Sequence, residues 1–252
     1  MDIVGRGFLA HSLRPLADRH PHVVAFAAGV SRGDGAADAD FARESGLLYD
    51  TVRDCLRTGR LLLYFSTSSA GLYGYGGTRQ TADEDGPVRP ASPYGRHKLA
   101  MEEVVRGSGA DHLVLRLSYP VGRAQRPHQF LPSLVGQVRR GRVRIHRGAR
   151  RDLIGAADAM ALIDALLRLG ASRQTVNLAS GWAIPVEDIV DHVERRLGTV
   201  AEREVTDVRP EGSVSTARLR RLLPSATRER GFGPDYYQRV IDAYLTDREP
   251  LP

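Results

Sequence analysis

MDIVGRGFLA, residues 1–10, sets a GxGxxA turn (Gly5, Gly7, Ala10) directly behind the short apolar run at 2–4. Phe8, Leu9, Leu13 and Leu16 then recur at helical spacing, so the stretch reads as strand, glycine turn, helix. That context gives an otherwise common pattern its meaning. Gly5 permits a tight turn, Gly7 lets the backbone approach a pyrophosphate, and Ala10 keeps the helix close to the sheet. A pyrophosphate would rest on the helix N-terminus, which makes Gly5, Arg6, Gly7, Phe8 and Leu9 candidates for cofactor contact.

The rest of this fingerprint is cut short. An acidic residue is expected about 20 positions on, at the end of a second strand, to hold an adenosine ribose. No residue fills that place. The first helix is followed almost at once by HVVAFAAG, residues 22–29, which behaves as the strand that ordinarily comes fourth in such a sheet. The half of the site that cradles adenosine is therefore expected to be trimmed, with Arg6 a compensating contact to a phosphate.

Outward from the turn, apolar runs alternate with helical patterns. RLLLYFSTSSAGLYG at 60–74 is an apolar strand entering a polar turn, and HLVLRLSYPVG at 112–122 is a strand with a polar end. Helices are read at 41–56, 94–107, 131–140 and 185–197, and two more in the last fifty residues; 31–40 and 75–93 are loops by composition. This order predicts an α/β fold, a Rossmann-like doubly wound parallel sheet trimmed near its N-terminus. The cofactor-binding core is placed at 1–122. Residues 123–252 are a mixed region holding a small substrate lobe and elements that return to the core.

The composition narrows the functional classes. With 42% hydrophobic and 26% charged residues, the 252-residue chain can bury a sizeable core. It has no apolar run of membrane-spanning length, and its first residues read as a strand, not a signal peptide. Cys55 is the single cysteine, expected as a small buried hydrophobe in a reducing, cytoplasmic setting. The net charge of +6 concentrates in RRGRVRIHRGARR at 139–151. That run lacks both zinc-ligand spacing and the interleaved aromatics of a single-strand binder. It suits a phosphate-bearing small molecule better than nucleic acid, with Arg144, Arg147 and Arg151 as candidate contacts; no metal site is expected.

SPYGRHK at 92–98 carries the only lysine of the chain, Lys98, four residues after Tyr94. Four residues on a helix put the two side chains on one face. With it the sequence resembles the extended short-chain dehydrogenase/reductase family, the NAD-dependent epimerase/dehydratase branch, which acts largely on nucleotide sugars. The resemblance rests on the glycine turn at 5–10, AAG at 27–29, SSAGLYG at 68–74, PYGRHK at 93–98 and RLSYPVG at 116–122, with weaker echoes to residue 222.

The resemblance implies that Ser69, Tyr94 and Lys98 are the catalytic triad. Ser69 would hold a substrate oxygen. Lys98 would favour the phenolate of Tyr94, whose ordinary pKa is about 10, and bind the nicotinamide ribose, where an arginine fork would not serve. It further implies NAD or NADP as cofactor, held also by Ala27, Ala28, Gly29, Ser68 and Pro120, and a homodimer formed near the Tyr-x-x-x-Lys segment. Tyr73 is read equally as a core residue.

Several positions depart from the family. The Asp-Glu pair of the 4,6-dehydratases is replaced by Ala70 and Gly71, which argues against that elimination. An asparagine that touches sugar-diphosphates is Tyr119, and another, in the helix after AAG, is taken as Ser45. Ser69, Ala70, Gly71, Tyr119, Arg144, Arg147 and Arg151 form the expected substrate side. Three functions remain open: a reductase acting on a sugar-like carbonyl, a nucleotide-sugar epimerase, and a non-redox protein on the same fold.

Overall fold

Alternate side chains of the apolar strands feed two separate cores, one on each face of a parallel sheet. The computed structural model describes residues 1–30, 37–74, 81–208 and 211–246. β1 (Asp2–Val4) passes through the glycine turn into α1 (Phe8–Leu13), and a 3-10 turn (Arg14–Arg19) leads to β2 (Val23–Phe26). Next come α2 (Asp38–Thr58), β3 (Leu61–Thr67), the single turn α3 (Ala70–Tyr73), β4 (Thr81–Ala82), α4 (Pro93–Gly107) and β5 (His112–Leu117). β6 (Tyr119–Val121), α5 (Phe130–Arg139), β7 (Arg142–Arg147), β8 (Arg150–Arg151), β9 (Leu153–Gly155) and α6 (Ala156–Arg168) follow. The remainder is β10 (Gln174–Leu178), β11 (Ile184–Pro185), α7 (Val186–Leu197), β12 (Glu202–Asp207), β13 (Ser213–Val214), α8 (Ala217–Leu222), α9 (Pro224–Glu229) and α10 (Tyr236–Thr246).

The main sheet has the order β1-β2-β3-β5-β10, parallel throughout. Val23 and Ala25 of β2 face α1, α6 and α8, while Val24 and Phe26 face α2 and α4. Both faces are covered, so the strands read as unbroken apolar runs. Cys55 is buried in the second of these cores. A third apolar cluster, built from α5, β7, α7 and α10, lies beyond the main sheet.

β1 pairs with β2 alone, and among the described residues no strand lies beyond it. The sheet therefore starts at its glycine turn and moves directly to the strand that ordinarily comes fourth. Its free edge is three residues long and carries Asp2, which pairs with Arg60; a short charged edge resists pairing with other chains.

Several elements differ from expectation for local reasons. The first helix gives way to a 3-10 turn at Pro15, which has no N–H for an α-helical bond. The strand read at 112–122 divides at Ser118: β5 stays in the sheet, whereas β6 pairs with β9. The helix read at 41–56 runs Asp38–Thr58 and ends on Gly59 in the left-handed conformation, φ +65°. The basic run at 139–151 contains a strand, β7, whose Val143 and Ile145 point inward between outward arginines. The loops read at 31–40 and 75–93 lie partly outside the described residues. No helix among the described residues is long and apolar enough to cross a membrane.

Candidate active site

The C-terminal ends of β1, β2, β3 and β5 open into a cavity of about 1590 Å³. Gly5, Arg6, Gly7, Phe8 and Leu9 form one wall. At Gly5 φ is +134° and a Cβ would lie 2.5 Å from the Ala27 carbonyl oxygen, so only glycine allows β1 and β2 to turn out together here. A Cβ at Gly7 would meet nothing within 4 Å, which leaves its backbone open to a ligand. Ala27, Ala28 and Gly29 continue the wall from the end of β2.

The opposite wall is set by two close-packed helix starts. Ser69 precedes α3 and Ser92 caps α4, its Oγ accepting the Gly95 N–H at 3.0 Å. Pro93 fills the first helical position, where a missing N–H costs nothing. A Cβ on Gly95 would fall 1.9 Å from the Gly71 carbonyl oxygen, and one on Gly71 2.8 Å from Ser92 Oγ. These two glycines let the two helices touch, which brings Ser69, Tyr94 and Lys98 to one cavity. The same closeness bears on Gly71, where any side chain would have to displace the Ser92 hydroxyl.

Lys98 is buried, and its ammonium donates to Glu44 Oε1 at 2.8 Å, the Phe65 carbonyl at 3.3 Å and Tyr64 Oη at 3.5 Å. Glu44 Oε2 also accepts the Val30 N–H at 2.7 Å and lies 3.2 Å from His97 Nε2. Burial alone would raise the Glu44 carboxyl, but the Lys98 charge, with hydrogen bonds from His97, Lys98 and Val30, lowers it to about 2. Burial works against the Lys98 ammonium, yet Tyr64, Glu44 and Tyr94 together hold it above the ordinary lysine range.

At Tyr94 burial, the largest cause, raises the phenol; Lys98 and a hydrogen bond with Thr67 pull it down, in the direction expected of the lysine, Glu44 pushes it up, and the net direction is upward because burial outweighs the rest.

Tyr119, Pro120 and Arg151 also line the cavity. The Arg151 guanidinium sits 5.0 Å from the Tyr119 ring centre and 5.4 Å from that of Phe130, and it pairs with Glu211 at 2.6 Å. The assignments of Arg144, Arg147 and Ser68 need correction. Arg144 and Arg147 do not reach the cavity: they lie exposed along β7, paired with Glu204 and Asp207 of β12 at 3.7 and 3.3 Å. Ser68 faces a small neighbouring pocket with Ser118 and Asp152 instead. Tyr73 is a core residue, donating to Asn177 Oδ1 at 2.7 Å and accepting from Arg116.

Ser45 bonds back to the Phe41 carbonyl within its own helix, and Glu44 takes the cavity-lining place. Glu44 and Thr67 were missed by the sequence reading. Glu44 was findable: it falls in line with Leu48, Thr51, Val52 and Cys55 on the buried stripe of α2, where a lone acid needs a cation. Among the described residues no group of three or more His, Cys, Asp or Glu gathers to hold a metal.

A nicotinamide dinucleotide is tested against these walls. The glycine turn offers open backbone, and the Tyr94–Lys98 end is formed; these residues fit the pyrophosphate and nicotinamide portions. Beyond the β1 edge no described strand offers a wall for adenosine. Residues 10–179 match the model of the NAD dependent epimerase/dehydratase family. The chain belongs to that family.

Over 162 residues this family member is 30% identical to UDP-glucose 4-epimerase of Streptomyces lividans, with 55% of this chain and 48% of that protein covered. The aligned part is thus about half the length of that curated relative. A crystal structure of UDP-galactose 4-epimerase superposes with a TM-score of 0.77 at 18% identity, covering 99% of this chain and 100% of that one. The structure of RMD from Pseudomonas aeruginosa complexed with NADPH gives 0.76 at 19% identity, covering 97% of each. At such identities these two likenesses concern the fold.

Proposed function

We propose that this epimerase/dehydratase family member is an NAD(P)-dependent reductase that adds hydrogen across a carbonyl of a nucleotide sugar or a similar anionic sugar. The observation that carries the reading is the gathering of Ser69, Tyr94 and Lys98 in one cavity with the glycine turn, while among the described residues no strand lies beyond β1 on the adenosine side. Such a site grips an exchangeable carrier. The glycine turn and the Tyr94–Lys98 end would hold a reduced nicotinamide dinucleotide, which would supply a hydride to the carbonyl carbon. Ser69 orients the carbonyl oxygen, and Tyr94 donates its proton to that oxygen as the alcohol forms. Thr67 fixes the phenol, and Lys98 fixes the wall behind it. Arg151, against the Tyr119 and Phe130 rings, is the cavity cation that would take an anionic group of the substrate in exchange for Glu211.

The test is titration with NADH and with NADPH, followed by nicotinamide fluorescence, together with turnover of carbonyl substrates by the wild type and Tyr94→Phe. Saturable binding of one carrier, retained in Tyr94→Phe while turnover is lost, supports the reading. No binding of either, with no cofactor released on denaturation, overturns it. Epimerisation is the second reading, favoured by the identity with UDP-glucose 4-epimerase. It would show as cofactor that stays with the protein through purification. A homodimer through the helices near the Tyr-x-x-x-Lys segment, α4 and the α2 packed on it, whose Tyr49 and Leu56 are exposed, is expected alongside either activity and is checked by sedimentation.

A further inference from the structure

The family resemblance leads one to expect a lysine whose charge serves tyrosine and ribose. The structure surrounds that lysine differently. All three ammonium protons of Lys98 have acceptors within the protein: Glu44 at 2.8 Å, the Phe65 carbonyl at 3.3 Å and Tyr64 at 3.5 Å. Glu44 is wholly buried, comes from α2 on the far side of the cavity floor, and is held in place by the Val30 N–H at 2.7 Å. Gly29 makes the room, since a Cβ there would lie 2.6 Å from the Lys98 nitrogen. The nitrogen itself stands 5.9 Å from the centre of the Tyr94 ring. Seen from the phenol, a cation and an anion arrive together.

We propose that Glu44 is a positioning residue for the reaction: by closing a buried ion pair with Lys98 it offsets the lysine's pull on Tyr94 and favours the proton-donating form of the phenol. This rests on the reading of Tyr94 as the acid of a reduction. A reductase needs that form in its resting state, whereas an oxidation draws on the phenolate.

The surroundings of Tyr94 leave the pair in control. Its own helix brings Lys98 and His97; α2 brings Glu44, with Asp40 and Arg43 farther along the cavity wall; β3 brings Tyr64 and the Thr67 hydroxyl. Across the cavity stand Arg6, Arg126, His128, Arg151 and Glu211, the last two paired with each other. The charges that act on the phenol are Lys98, which favours the phenolate, and Glu44, which opposes it.

The experiment is an ultraviolet titration of phenol ionisation on the cofactor-free full chain. Each protein is measured against the same chain carrying Tyr94→Phe, so that the difference isolates Tyr94. In Glu44→Gln the Tyr94 midpoint moves down by about one pH unit or more, the range for a charge a few ångströms away. Adding Lys98→Met to Glu44→Gln moves it back up, because the freed cation is gone. Glu44→Asp keeps the charge, draws it away, and gives a smaller downward shift. An unmoved midpoint in Glu44→Gln overturns the proposal. If that variant fails to fold by near-ultraviolet circular dichroism, an unmoved midpoint in Glu44→Asp does so. A structural ion pair alone would alter stability and leave the midpoint in place. Failure of the functional reading is separate: it appears as loss of nicotinamide binding in the wild type, whatever the phenol does.

Discussion

Removing the buried carboxylate should flatten the acid side of the stability curve. Glu44 is lowered from 4.5 to about 2 in the folded chain, because the Lys98 charge and three hydrogen-bonding partners outweigh the burial that would raise it. A depressed acid contributes stability that is fully present above its unfolded pKa and is lost as pH falls through the folded one. The difference of roughly 2.5 pH units corresponds to about 3 kcal/mol, present above about pH 5, with about 2 kcal/mol already lost by about pH 3. Urea unfolding of the wild type and Glu44→Gln, repeated from neutral pH down to about pH 3, reads this directly. At neutral pH the variant is the less stable, since it leaves Lys98 buried without its anion. On acidification the two curves converge by about 2 kcal/mol. Other carboxylates titrate equally in both proteins and cancel in the difference. Two curves that stay parallel throughout would refute the reasoning, for they would mean that Glu44 is not held as a buried anion.

Four further outcomes follow from the same geometry. Gly95→Ala, with its Cβ 1.9 Å from the Gly71 carbonyl oxygen, forces α3 and α4 apart; a loss of about 1–3 kcal/mol in thermal or urea unfolding is expected, with turnover falling further than stability. Gly5→Ala, strained at φ +134° and crowding Ala27, should abolish nicotinamide binding in the fluorescence titration. Arg151→Ala should raise KM for an anionic substrate. Arg144→Ala and Arg147→Ala, which break only exposed pairs with Glu204 and Asp207, should leave KM unchanged and stability within about 0.5 kcal/mol.

The sheet was legible because its signals are local and mutually consistent: continuous apolar runs, helical stripes and a glycine turn each point to the same layering. The cut after the first helix was legible for the same reason, since too little chain stands between Leu13 and Val23 for a strand and its crossover helix. The strand inside the basic run was hidden by its arginines, although Val143 and Ile145 alternate with them as a half-buried strand requires. β12 offered less still, being exposed along its whole length. The site divided in the same way. Tyr94 and Lys98 share one helix, so their spacing announced them. Glu44 meets Lys98 only through the packing of α2 on α4, across 54 residues of sequence. The charge of 139–151 pointed to a ligand, but strand alternation sends Arg144 outward and only Arg151, after the turn, reaches the cavity.

Where the chain is shortened bears on which reaction the site can run. Glu44, Thr67, Tyr94 and Lys98 hang from α2, β3 and α4, elements packed within the sheet and on its covered face. They are held firmly, and they form the reacting end. β1 contributes only the glycine turn, from an edge with no described strand beyond it. A dinucleotide gripped at one end keeps the orientation of its nicotinamide and forfeits the contacts that slow its departure, since differences in affinity fall mostly on the off-rate. An epimerase restores its carrier in place and gains from slow release. A reductase must discard the oxidised carrier in every cycle. A cavity firm at its Tyr94–Lys98 end, with no described strand beyond β1 at the other, is the arrangement expected of the proposed reduction, and the proposed action of Glu44 on the phenol points in the same direction.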